Sequence, residues 1–192
     1  MTAVRFDPGS GRVVASSSCD GSVIITSSYK DELDDADSTA TGPFAAMVEE
    51  AGTVLFRLKT NVWNNTLSWS PSGATLAYAS HDCEMHFSDF TAEMVASKTK
   101  PVSKRVVYNG NPVLTGNFIS ENTYIGCGFD NVPLIFKKAA DGTWSFTGSL
   151  DPGFGRAKAS MINSNAFGGR TVFFDGAQLD GNTMMQPKET LH

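Results

Sequence analysis

Along the first 150 or so positions, apolar residues come in short runs in which every second side chain is apolar and its neighbours are small or polar. That period of two belongs to half-buried β-strands, and Gly, Pro, Asn, Asp or Ser turn the chain between the runs. The runs group into three similar units. The first reads Val4-Arg5-Phe6-Asp7-Pro8, a Gly/Ser turn, Val13 to Ser18, then Asp20-Gly21 and Val23-Ile24-Ile25. The second reads Leu67-Ser68-Trp69, the turn Ser70-Pro71-Ser72-Gly73, Thr75 to Ser80, His81-Asp82, then Met85 to Ser88. The third reads Thr115 to Ser120, Tyr124 to Gly128, Asp130, then Leu134-Ile135-Phe136. A fourth strand follows each unit, at Val54 to Leu58, Arg105 to Tyr108 and Trp144 to Gly148.

Phe6, Trp69 and Phe118 precede Asp20, Asp82 and Asp130 by 14, 13 and 12 residues, and the aspartates lie 62 and 48 residues apart. WD-repeat propeller blades recur every 40–45 residues or so. Both intervals fit if surface loops have lengthened, and the longer one holds five acids in the seven positions from Asp31 to Asp37. The fold predicted is all-β: a WD40 β-propeller with three four-stranded blades at about 3–60, 61–110 and 111–151. Residues 152–192 read as a flexible, irregular insertion leading toward a further blade. Roughly four to eight blades close a propeller, so the chain is expected to be part of a larger ring. Asp20, Asp82 and Asp130 are expected to be structural blade-turn residues, accepting backbone N–H bonds between the second and third strands.

Composition narrows the chemistry. Twenty acidic against fifteen basic residues give a net charge of −5, which argues against a chain held on nucleic acid by its overall field. Lys98, Lys100, Lys104 and Arg105 form one local basic stretch, read as a solvated loop. Cys19, Cys83 and Cys127 are too widely spaced for a zinc site, and their odd number suits a reducing, cytosolic setting. Neither a signal peptide nor a membrane-inserting run is visible. His81-Asp82 and His86 invite a catalytic reading, but no nucleophile elbow accompanies them, and His81 is expected to pack between blades. Gly168-Gly169 and Gly153-Phe154-Gly155 lack the Lys-Ser/Thr of a phosphate loop. No enzyme activity, cofactor or metal is predicted. The alternatives are an unrelated WD40 scaffold and, with less support, a propeller hydrolase with its carboxylates at the channel mouth.

The ordered set of residues resembles a known family. Phe6-Asp7-Pro8, Cys19-Asp20 and Ser27-Ser28-Tyr29, followed by the acidic loop, are similar to one blade of the WD-repeat subunit of the actin-related protein 2/3 complex. Val62-Trp63, Ser70 to Gly73, Leu76-Ala77-Tyr78 and Ser80-His81-Asp82 resemble its next blade. Pro112-Val113-Leu114, Phe118 to Asn122, Gly128-Phe129-Asp130 and Pro133 to Phe136 follow in the same order. The resemblance implies a seven-bladed ring and a non-enzymatic scaffold in the cytoplasmic actin cytoskeleton. Its partners would be actin-related proteins, small subunits of the same complex, the actin filament and nucleation-promoting factors. The family also carries a protruding insertion beyond Leu150-Asp151, with Met161 and Phe167 where its helix has apolar anchors. Gly168-Gly169, Asn163 and Asn165 disfavour that helix here. Phe154, Phe167 and Phe173 in this glycine-rich tail are equally compatible with a partner-docking segment and with surface that absent blades would cover.

Overall fold

The computed structural model describes residues 1–34 and 39–151. Phe154, Met161, Phe167 and Phe173 lie outside the described residues. The described residues form three four-stranded antiparallel sheets, each a meander in chain order. Sheet 1 contains β1 (Ala3–Phe6), β2 (Val13–Ser17), β3 (Ser22–Ser27) and β4 (Val54–Lys59). Sheet 2 contains β5 (Asn64–Trp69), β6 (Thr75–Ser80), β7 (Glu84–Asp89) and β8 (Ser103–Val107). Sheet 3 contains β9 (Val113–Ser120), β10 (Thr123–Gly128), β11 (Leu134–Lys138) and β12 (Trp144–Ser149). The first strand of each sheet lies beside the first strand of the next, β1 against β5 and β5 against β9. This is the arrangement of consecutive blades in a WD40 β-propeller.

Alternation decides which side chains meet at each seam. In sheet 1 Val13, Ala15, Val23, Ile25, Phe56 and Leu58 are buried on one face, against Leu67, Trp69, Leu76 and Tyr78 of sheet 2. Ala15 pairs with Ile25 and Ile25 with Phe56, so the buried row continues across neighbouring strands. All six residues of β6 are buried, because sheet 2 is covered on both faces. Its small Ala77 and Ala79 fit that confinement. Toward sheet 3, Phe87 stacks on Trp144 at 3.9 Å and meets Phe118, Tyr124 and Phe136 edge-on or tilted.

Two features depart from the simple repeat. The chain that follows the acidic insertion returns to the core, where Phe44 is fully buried with its ring 5.4 Å from Phe90, 5.7 Å from Trp69 and 6.5 Å from Phe56. Burying a phenylalanine this way contributes about 1.5–3 kcal/mol. The second is a short helix, α1 (Ala92–Ser97), between β7 and β8. Thr91 caps it by accepting the Met94 N–H through Oγ1 at 3.2 Å, and Lys98 ends it in the left-handed region at φ 54°.

Candidate functional site

The three turn aspartates occupy equivalent places, each followed by a residue with positive φ: Gly21 at 83°, Cys83 at 64° and Asn131 at 56°. Their carboxylates are used differently. Asp20 accepts the Ser22 backbone N–H at 2.8 Å, and this bond holds its carboxyl below the usual range. Asp130 reaches back to the β8–β9 connection, accepting from the Asn111 backbone N–H at 2.6 Å and from Asn111 Nδ2 at 2.8 Å. Asp82 accepts from the Ser80 hydroxyl within its own turn. A further turn carboxylate, one the repeat pattern did not single out, is Asp7 in the β1–β2 turn. It is buried and accepts N–H bonds from Ser10 at 2.7 Å and Val13 at 3.3 Å.

Ser80, Asp82 and His86 come together as a catalytic triad would require, but their roles are reversed. Ser80 Oγ lies 3.3 Å from His86 Nε2 and donates its proton to Asp82, so the hydroxyl is not handed to the imidazole as a base. Ser80 is fully buried and His86 nearly so, which denies a substrate access. The His86 ring stacks on Tyr78 at 5.0 Å. Glu84 Oε2 is only 3.5 Å from His86 Nε2, yet the other Glu84 oxygen is engaged by Arg105 at 3.0 Å. Burial therefore dominates and pushes the His86 pKa down to about 4, leaving a neutral ring.

Asp89 at the end of β7 is a hub between sheets 2 and 3. It accepts from Thr75 Oγ1 at 2.7 Å, Lys104 Nζ at 2.8 Å and Lys138 Nζ of sheet 3 at 2.9 Å. Burial opposes its ionisation, but the bonds from both lysines and Thr75 together hold its carboxyl below the usual range. Three of the four residues of the basic stretch are in ion pairs: Lys104 joins Asp89, Arg105 joins Glu84, and Lys98 pairs with Glu49 at 2.7 Å. Lys104 and Arg105 lie on β8, where a solvated loop was expected. The cysteines are free thiols.

The inner strands of sheets 2 and 3 are joined by side chains as well. Asn65 Nδ2 donates to the Val113 carbonyl at 2.9 Å and Ser68 Oγ to Asn117 Oδ1 at 3.1 Å. The Ser72 backbone N–H and hydroxyl donate to the two Glu121 oxygens, each at 2.7 Å. At one end of this seam the His81 ring stands between Trp63 and Phe129, with Nδ1 3.2 Å from Asn65 Oδ1. Among the described residues no group of His, Cys, Asp and Glu side chains is arranged to hold a metal ion, and no helix is long and apolar enough to cross a membrane.

No family model matches the chain. Among curated proteins it is similar to actin-related protein 2/3 complex subunit 1A of Arabidopsis thaliana, at 30% identity over 166 residues, covering 86% of this chain and 40% of the relative. It is also similar to subunit 1B of the same plant, at 31% over 147 residues, covering 76% of this chain and 36% of the relative. Subunit 1A-B of Xenopus laevis is 32% identical over 143 residues, again covering 36% of the relative. The chain thus spans about two fifths of the length of the curated relatives it matches. Similarity to subunits from a plant and an animal joins the repeated strand–turn grammar and the three propeller blades: the chain belongs to the family of subunit 1 of the actin-related protein 2/3 complex.

Proposed function

We propose that the chain is a non-enzymatic scaffold within an actin-related protein 2/3 complex in the cytoplasmic actin cytoskeleton, supporting nucleation and branching of actin filaments. It contacts actin-related proteins and small subunits of the same complex, and lies within reach of the filament and of nucleation-promoting factors. The observation that carries this reading is the similarity to subunit 1 over most of the chain, in relatives as distant as a plant and a frog. The buried, inward-turned state of Ser80 and His86 is consistent with a scaffold. The test is affinity purification of the tagged gene product with mass spectrometry of what accompanies it. Both actin-related proteins are expected in stoichiometric amount, and a preparation without either sinks the proposal.

The tail is assigned a docking role in the same scheme, with Phe154, Met161, Phe167 and Phe173 as its anchors. Deleting residues 154–188 is expected to spare propeller folding and assembly while lowering filament branching. Loss of folding on that deletion would make the segment part of the core.

A further inference from the structure

The seam between sheets 2 and 3 ends in an aromatic row open to solvent. Trp63 and Phe129 are 47% and 53% exposed, and the His81 ring lies between them, 4.6 Å from the indole and 6.2 Å from the phenyl. Both contacts are edge-on, at 71° and 90°, and Val62 extends the apolar surface beside Trp63. The three rings come from three connections: β4–β5, β6–β7 and β10–β11. Both sheets that flank this seam are present, and a further blade would stack on the outer face of sheet 1 or sheet 3. The row is therefore not blade surface awaiting its neighbour. Exposed apolar groups gathered on a polar rim mark an interaction surface.

Charge indicates what kind of partner fits. Asp82 follows His81 and Asp130 follows Phe129 in the chain, so two of the three connections that bear the rings also carry an acidic residue, and Asp82 is exposed. Aromatic faces carry negative potential and attract cations, and the alkyl stem of a lysine or arginine covers apolar surface while its head reaches a carboxylate. We propose that the Trp63–His81–Phe129 row docks a basic segment of a partner protein, one lysine or arginine side chain lying over the rings with its charge directed toward Asp82 and Asp130.

The experiment uses the full chain and a dye-labelled arginine-rich peptide followed by fluorescence anisotropy. A citrulline peptide of the same shape serves as the neutral control and a glutamate peptide as the acidic one. Saturable binding of the arginine peptide is expected, weakened about tenfold by citrulline and by either Trp63→Ala or Phe129→Ala, and reduced by added salt. Both rings are largely exposed, so these variants should retain the parent melting temperature. Trp69 and Trp144 are only 6% and 4% exposed, which makes Trp63 the solvent-facing indole of the described residues. Its emission should shift on adding arginine peptide, and Trp63→Ala should abolish that shift. Equal binding of the arginine and citrulline peptides would overturn the charge assignment in favour of apolar docking, and preference for the glutamate peptide would reverse it. Binding indifferent to both ring deletions would overturn the site itself.

Discussion

Cys83 sits where the equivalent turns have Gly21 and Asn131, residues that tolerate the left-handed region at little cost. A cysteine there bears strain that its neighbours avoid. Cys83→Gly is therefore expected to raise stability by about 0.5–1 kcal/mol, read as a higher urea midpoint at unchanged slope. His86 gives a pH signature. Its pKa of about 4 in the fold lies below the 6.5 it has when unfolded, so the unfolded chain binds more protons between those values. Stability from this group is then complete above the unfolded value and declines as pH falls toward the folded one, by about 3 kcal/mol in all. Urea titrations across this range on the parent and on His86→Phe check it. The parent should lose stability on acidification more steeply than the variant, and parallel losses would place the titration elsewhere.

Turns of one type differ in what their carboxylates hold, and the difference is measurable element by element. Asp130→Ala removes both acceptors of Asn111 and frees the β8–β9 connection, so a loss of about 1–2 kcal/mol is expected in chemical denaturation. Asp82→Ala should cost less, about 1 kcal/mol or below, because Ser80 keeps the Glu84 carbonyl at 3.3 Å as an alternative acceptor. A larger effect at Asp82 would reverse this ranking. Strands were legible in the sequence because alternation and turn residues agree within each one: Thr75 to Ser80 is bounded by Gly73 and Asp82. α1 was not, since six residues are too few to show a helical period, and Thr91 and Glu93 at its start were slight cues. Phe44 escaped too, lying in a stretch after the acids with no alternation to announce burial. Among the turns, the repeat drew attention to Asp20, Asp82 and Asp130, whereas Asp7 sits in the first unit with Ser70 at the matching place in the second. The aromatic row joins Trp63, His81 and Phe129 across three connections, and only folding brings them together.

Across the molecule, the two seams are secured by different means. The first relies on apolar burial around Phe44, crossed by bonds from Asn64 N–H to the Ser18 carbonyl at 3.1 Å and from Trp69 Nε1 to the Arg5 carbonyl at 3.3 Å, and by an exposed Lys98–Glu49 pair at 2.7 Å. The second adds the ion pairs at Asp89. Asp89→Ala leaves Lys138, only 21% exposed, without its carboxylate, and a loss of about 1–3 kcal/mol is expected. A double-mutant cycle with Lys138→Met isolates the cross-seam part, and a coupling indistinguishable from zero would show that Asp89 acts only within sheet 2. Lys104 is 41% exposed and is expected to contribute less.

Sheets 2 and 3 are also fastened at two distances from the propeller channel. Near it, Asn65, Ser68 and Ser72 of sheet 2 bind Val113, Asn117 and Glu121 of sheet 3, and farther out Lys138 binds Asp89. A single row of fasteners makes a hinge, whereas two separated rows make a plate. Under a twisting load these two sheets would turn together, and compliance would fall to the first seam, whose outer Lys98–Glu49 pair is exposed to solvent and resists shear weakly.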